Sequence, residues 1–350
     1  MKKFLALLLA LTMALALVAC GGGNDSSDTA TSGGDSESGF EPMTWKFACS
    51  ATETSPWVDG AKEFARIVGE KTGGAITVQY YPADQLTAGS QTDGIQALMD
   101  GTTEISMHSN LIWSSFDQRF NVVSLPFLFD SVEEADAALD GAGGEALGEI
   151  LENEYNVHLL GIAENGFRHI TNSKRPIQSL ADMNGLKIRV AGSQVLNRAY
   201  QLWGADYTNA NWSEVFTALQ TGTYDGQENP LPTADAASIQ EVQSYLTYWT
   251  GAYDCLFFCM NADLYNSLSP ELQAIVDEAG QEACTYEREL NRGQDQEIMD
   301  KWADAGVEVS ELSADAAAEF AEASAPVYDE FADELTPELI EAFTSVTQAE

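Results

Sequence analysis

The feature that most restricts this chain is a repeated change of hydrophobic period, from two residues to 3.6 and back. From Thr44 to Cys49 apolar side chains alternate as in a strand. Ser55 is placed to cap a helix with Pro56 at its first position. Ala61, Phe64, Ala65 and Val68 then recur at helical spacing until Gly73 and Gly74 stop it. Ile76–Tyr80 predicts a second strand, a helix through Ile95–Met99 ends at Gly101, and Ile105–Met107 predicts a third strand. Strand, helix, strand, helix, strand in this order predicts an α/β fold with a mostly parallel sheet covered by helices.

The pattern returns farther along. A helical stretch from Ser131 to Glu154 precedes strand candidates at Val157–Ala163, Leu186–Val190 and Tyr245–Trp249, with helices at Gln194–Trp203 and Glu214–Thr221 between them. Two α/β lobes follow from that recurrence. Beyond Pro270 the chain reads as amphipathic helix, interrupted near Gly306–Val309 and resumed at Ser313 and at Thr336-Pro337. Gly141-Ala142-Gly143-Gly144-Glu145-Ala146 fits a loose dinucleotide fingerprint. That motif needs a preceding strand, and Ser131–Leu139 has helical spacing, so the glycines read as a helix break.

The N-terminus reads as a targeting segment. Lys2 and Lys3 precede the apolar run Phe4–Val18, which is shorter than the roughly 20 residues that span a bilayer. Leu17-Val18-Ala19-Cys20 looks like a bacterial lipobox, which predicts a signal peptide at 1–19 and lipidation of Cys20. Residues 20–43 are rich in Gly, Ser, Asp and Thr, a composition that builds no core and predicts a flexible tether. The expected address is extracytoplasmic, either lipid-anchored to the outer face of the cytoplasmic membrane or periplasmic.

Charge narrows the partners. The 350 residues carry 16 basic and 55 acidic side chains, a formal net charge of −39. Long-range repulsion sets such a chain against nucleic acid and anionic lipid. Within it, Arg168, Lys174, Arg175, Lys187, Arg189 and Arg198 gather in one segment where Asp182 is the only acid. Most of these read as surface cations. Arg189 differs, because it lies inside the strand-like Leu186–Val190, at the end that faces the ligand crevice of an open α/β lobe. A planar guanidinium there can grip a carboxylate through two parallel hydrogen bonds.

Other chemistry finds little support. The sequence holds no G-x-S-x-G elbow, Walker loop, H-E-x-x-H or EF-hand pattern. His108, His158 and His169 show no ligand spacing, so neither metal nor cofactor is expected. Cys49, Cys255, Cys259 and Cys284 allow three disulfide pairings. Cys255 and Cys259 nevertheless sit in the apolar run Cys255–Met260, where cysteine serves as a small hydrophobe, and free buried thiols are expected.

Asn165-Gly166-Phe167-Arg168-His169-Ile170-Thr171-Asn172, Arg175-Pro176-Ile177 and Gly185-Leu186-Lys187-Ile188-Arg189-Val190 resemble the successive signatures of solute-binding proteins of tripartite ATP-independent periplasmic (TRAP) transporters, in the branch of C4-dicarboxylate and sialic-acid binders. The resemblance continues through Trp212–Gly222 and Asp225–Pro230, with weaker echoes at Tyr81-Pro82, Gln85-Leu86 and Leu125–Phe129. It implies a two-lobed, periplasmic-binding-protein-like clamshell with crossing strands and a long connecting helix. Lobe I would comprise 44–165 and 255–294, and lobe II 166–254 and 295–350.

The resemblance also implies roles. Arg189 would form the main salt bridge to a ligand carboxylate, Arg168 a second basic contact and Asn229 a hydrogen bond to the same group, with Trp212 packed on the ligand. Ser50, Glu53, Thr54 and Ser109 are candidates for the facing wall. Two departures stand out: Ala191 occupies a position commonly proline in the family, and Met107-His108-Ser109-Asn110 lacks the glutamate of sialic-acid binders. The implied activity is capture of a small organic acid (a C4-dicarboxylate, 2-oxo acid or sugar acid) and its delivery to TRAP membrane subunits, by a monomer that is not an enzyme. The alternatives are an exported lipoprotein hydrolase, for which the sequence offers no nucleophile–base constellation, and a ligand-sensing receptor using the same cleft.

Overall fold

A computed structural model describes residues 39–345. The signal peptide, Cys20 and most of the tether expected at 20–43 lie outside the described residues. The strands are β1 (Met43–Cys49), β2 (Ile76–Tyr81), β3 (Ile105–Ser109), β4 (Val157–Phe167), β5 (His169–Asn172), β6 (Lys187–Val190), β7 (Asp206–Asn209), β8 (Gly226–Asn229), β9 (Tyr245–Tyr248), β10 (Tyr253–Asn261) and β11 (Glu308–Glu311). They form two sheets, ordered β2-β1-β3-β10-β4 and β11-β9-β5-β8-β6-β7.

Both sheets are mixed, where the sequence predicts mostly parallel pairing. β1 runs parallel to β2 and β3, but β10 is antiparallel to β3 and β4. In the second sheet β5 is antiparallel to both β8 and β9. The reason is topological. The chain leaves the first sheet from β4 into β5 and returns from β9 into β10, so β4 pairs with β10 in one sheet and β5 with β9 in the other. These two antiparallel ribbons are the crossing strands of the clamshell.

β10 shows why a continuous apolar run forms a strand here. Leu256, Phe258 and Met260 enter one core cluster, whereas Cys255, Phe257 and Cys259 enter the cluster on the opposite face. A strand covered on both faces loses the polar half of its alternation. Phe258 meets Phe47 and Phe64 edge-on at 5.1 and 5.0 Å, and Phe257 meets Phe120 in the same manner at 5.3 Å. Cys49, Cys255, Cys259 and Cys284 are free and buried, as expected.

Two helices begin at a capping serine followed by proline, the first as expected. Ser55 accepts from the Trp57 amide ahead of the helix Pro56–Lys71, and Ser269 accepts from the Leu272 amide ahead of the 23-residue helix Pro270–Arg292. That long helix packs on β4 and on Pro56–Lys71 before the chain moves on to the helix Asp295–Asp304 and to β11. The interruption expected near Gly306 is thus a strand, β11, parallel to β9. The helical stretch Ser131–Glu154 is two helices, Val132–Leu139 and Ala142–Tyr155, parted at Asp140-Gly141; Gly143 and Gly144 belong to the second. The last helix, Pro337–Thr344, returns to this pair and buries Leu339 and Phe343 there. Among the described residues no helix is long and apolar enough to cross a membrane.

Candidate functional site

The carboxyl ends of β1, β3, β6 and β8 converge on a hollow with about 350 Å³ of empty space, part of it open to solvent. Such strand ends are where open α/β sheets bind ligands. The first sheet's wall contributes Ser50, Ala51, Trp57, Gln91, Ser109 and Ile112; the second sheet's wall contributes Arg189, Ala191, Trp212, Asn229 and Thr233. Asn165, Arg168 and Asp254 close the base, where the chain passes between sheets. Gly166 makes that passage with a φ of +109°, a conformation that L side chains rarely adopt.

Arg168 is 3 % exposed and its hydrogen-bonding capacity is almost entirely used. Nε donates to the Glu228 carboxylate and Nη1 to Asp254 Oδ2. Nη2 donates to the Glu228 backbone carbonyl at 2.8 Å and to its Oε1 at 3.0 Å. Burial by itself would lower the guanidinium pKa, but the two carboxylates outweigh it and the net shift is upward. Of five N–H groups, at most one on Nη1 is left. The second basic contact that the resemblance implies is therefore already paired. Glu228 belongs to the second sheet and Asp254 to the first, so Arg168 fastens one sheet to the other.

Arg189 is as buried, at 2 % exposed, but among the described residues no acid lies within salt-bridge distance of it. Nε and Nη2 both donate to the Ala210 carbonyl, at 3.0 and 2.7 Å. That contact fixes one edge of the guanidinium and leaves Nη1 and the second Nη2 hydrogen for another group. Burial pushes its pKa down to about 10; Glu228 opposes that fall and Arg168 adds to it. The group stays charged at neutral pH. It lies 5.7 Å from the centre of the Trp212 ring, within cation–π range. Lys187, one pleat back, is exposed, while Lys174 and Arg198 pair with Asp225 and Glu330 at the surface.

The remaining predicted residues divide. Asn229 ends β8 beside the hollow, its side-chain amide donating to Gln227 Oε1 at 2.7 Å. Ser50 and Ser109 line the facing wall; Ser109 donates to Asp254 at 2.7 Å, and the buried Ser50 hydroxyl has no partner. Glu53 and Thr54 do not line it. Both are exposed in the turn before the Ser55 cap, and Glu53 reaches Lys62 at 3.5 Å instead.

Sequence reading overlooked Trp57, Gln91, Asn165, Thr233 and Asp254. Asp254 alone left a signal, a single acid at the head of the apolar run Cys255–Met260. Burial pushes its carboxyl up, and Arg168 with the Ser109 and Asn165 hydrogen bonds pulls it back. Ala191 also gains a reason: its amide donates to Glu228 Oε1 at 2.9 Å, a bond that proline cannot make.

Hydrogen bonds between the walls close the outer lip. Gln91 Oε1 accepts from the Trp212 amide at 3.2 Å, Ser213 donates to the Gly89 carbonyl at 3.1 Å, and Thr52 donates to the Ala236 carbonyl at 3.2 Å. Gly89 has a φ of +86°, and a Cβ there would lie 2.8 Å from Ser213 Oγ.

Comparison with known proteins sets this geometry in context. Residues 47–335 match the model of "Bacterial extracellular solute-binding protein, family 7". The 2,3-diketo-L-gulonate-binding periplasmic protein of Escherichia coli is 32% identical over 274 residues, covering 78% of this chain and 83% of that protein. The sugar acid binding protein of Advenella mimigardefordensis, solved with galactonate, superposes with a TM-score of 0.84 at 30% identity, over 88% of this chain and 98% of that one. A TRAP periplasmic solute binding protein of Polaromonas, solved with D-erythronate, gives 0.83 at 30% identity, over 88% and 100% of the two chains.

Proposed function

The chain belongs to family 7 of the bacterial extracellular solute-binding proteins, the TRAP receptors of acidic ligands, and from that premise we propose that Arg189 captures a small organic acid in the hollow between the sheets. The observation that carries this reading is a dehydrated guanidinium with one edge fixed on the Ala210 carbonyl and the other edge free beside empty space. Leaving a cation buried without a counter-ion costs several kcal/mol. A carboxylate meeting that edge restores the balance through two parallel charge-assisted hydrogen bonds.

The overall charge of −39 repels anions at long range, so affinity has to arise locally. Closure of the walls supplies the local setting. It excludes water, lowers the effective dielectric around the ion pair and covers the ligand with Trp212. Diketogulonate, galactonate and D-erythronate, the ligands named for the relatives above, all present a carboxylate to such a site. The lobes expected at 44–165 with 255–294 and at 166–254 with 295–350 would part to release the acid to TRAP membrane subunits, with the last helix, Pro337–Thr344, moving with the first of them because it packs on Val132–Leu139 and Ala142–Tyr155. A monomer tethered through lipidated Cys20 would work at the outer face of the cytoplasmic membrane, a reading supported by the lipobox-like run and the tether composition.

Two measurements test this. Mass spectrometry of small molecules released by denaturing the purified protein identifies the acid it carries. Calorimetric titration with that acid then compares the native chain with Arg189→Ala. A loss of at least about a hundredfold in affinity is expected, since each decade is about 1.4 kcal/mol. Undiminished binding by Arg189→Ala overturns the proposal.

A further inference from the structure

We propose that the hollow selects a hydroxylated monocarboxylate and rejects the corresponding dicarboxylate. Such selection presupposes the Arg189 grip and adds which acids can satisfy it. Its basis is the charge balance around the hollow. Three charged side chains line it, Arg168, Arg189 and Asp254, and Glu228 sits directly behind Arg168. Two cations thus face two carboxylates before any ligand enters. Arg168 is consumed by Glu228 and Asp254, so one cation is open. The first carboxylate of a ligand neutralises Arg189. A second would enter a dehydrated space with no cation left, next to Asp254, and a buried unpaired carboxylate is strongly disfavoured.

The rest of the lining asks for neutral polar groups. Ser50 Oγ and Trp57 Nε1 are buried without hydrogen-bond partners, and both residues line the hollow. A hydroxyl or carbonyl satisfies either at no charge cost. Asp254 accepts from Ser109, Asn165 and Arg168. Of the roughly four lone-pair sites on a carboxylate, one is left, able to take a hydroxyl hydrogen and bound to repel an anion.

The test uses matched acids that differ at one end, a terminal CH2OH against a carboxylate: D-galactonate with galactarate, and D-erythronate with meso-tartrate. Each is titrated calorimetrically into the ligand-free native chain, Arg189→Ala and Asp254→Asn. In every pair that binds, the monocarboxylate is expected to bind at least tenfold more tightly, with Asp254→Asn narrowing that ratio. A dicarboxylate that binds the native chain as tightly as its partner or more so, and loses affinity in Arg189→Ala, overturns the selection while leaving the grip intact. Acids that bind the native chain and Arg189→Ala alike overturn the grip and the selection with it; should none of the four bind, the acid released by denaturation and its counterpart altered only at the far end take their place, with the same readings. Should Asp254→Asn not fold, the native pairs decide alone.

Discussion

The Arg168 corner and the Arg189 corner of the hollow are equally dry and differently wired. Both guanidiniums are almost wholly buried. One meets two carboxylates from different sheets; the other meets a single backbone carbonyl. Burial therefore does not tell the two arginines apart, whereas partner inventory does. The paired cation ties one sheet to the other, and the unpaired one is the group that the proposed function assigns to the ligand.

The widest gap between the corners is expected in stability. Arg168→Met leaves Glu228 and Asp254 buried without their cation, and urea unfolding of the ligand-free protein is expected to show a loss of about 3–5 kcal/mol. Arg189→Met removes a desolvated charge and orphans only the Ala210 carbonyl, so its loss is expected to stay within about 1 kcal/mol. Equal losses would erase the distinction.

A third buried group sharpens it. Glu287 has an unpartnered Oε1, and its other oxygen accepts from the Glu164 amide at 2.9 Å. Burial pushes its pKa from the ordinary 4.5 up to about 8. An acid without a cation can discard its charge by taking a proton, which an arginine cannot do by losing one. Between about pH 4.5 and 8 the folded state holds a proton that the unfolded chain releases. This contribution is full below that window and is lost as pH rises through it, with a limiting slope of about 1.4 kcal/mol per pH unit. Glu287→Gln is expected to abolish that part of the slope, read as the difference between native and variant unfolding free energies across the window. Parallel pH profiles would show Glu287 to be ionised in the fold.

The smallest effect belongs to Trp212. Removing a ring 5.7 Å from Arg189 strips cover and cation–π attraction, and Trp212→Ala is expected to weaken acid binding about fivefold with little change in stability. A loss as large as that of Arg189→Ala would move the centre of recognition from the charge to the ring.

Much of the fold was legible because long elements carry their own periodicity. β1, β2 and the helices that start at Pro56 and Gln194 fall within a residue or two of their expected bounds. β5, β7 and β8 escaped notice because four residues are too few for a period to declare itself. His169-Ile170-Thr171-Asn172 and Gly226-Gln227-Glu228-Asn229 are also mostly polar, buried through partners elsewhere in the chain. The site shows the same division. Arg189 stood out through strand alternation, a local property. The neutralisation of Arg168 was invisible because its acids lie 60 and 86 residues away. Glu53 and Thr54 rest on the resemblance alone, and side-chain direction in a turn is not written in spacing.

The ionic staple at Arg168 has a consequence for how the clamshell gives way. The pivot is held by charges shut off from solvent, while the rim is held by Gln91 to Trp212, Ser213 to Gly89 and Thr52 to Ala236, neutral contacts that water replaces readily. If the walls part as the proposed function requires, parting starts at the rim and swings about a pivot that stays fastened. Cargo would then leave while the molecule keeps its fold, ready to shut again on the next anion.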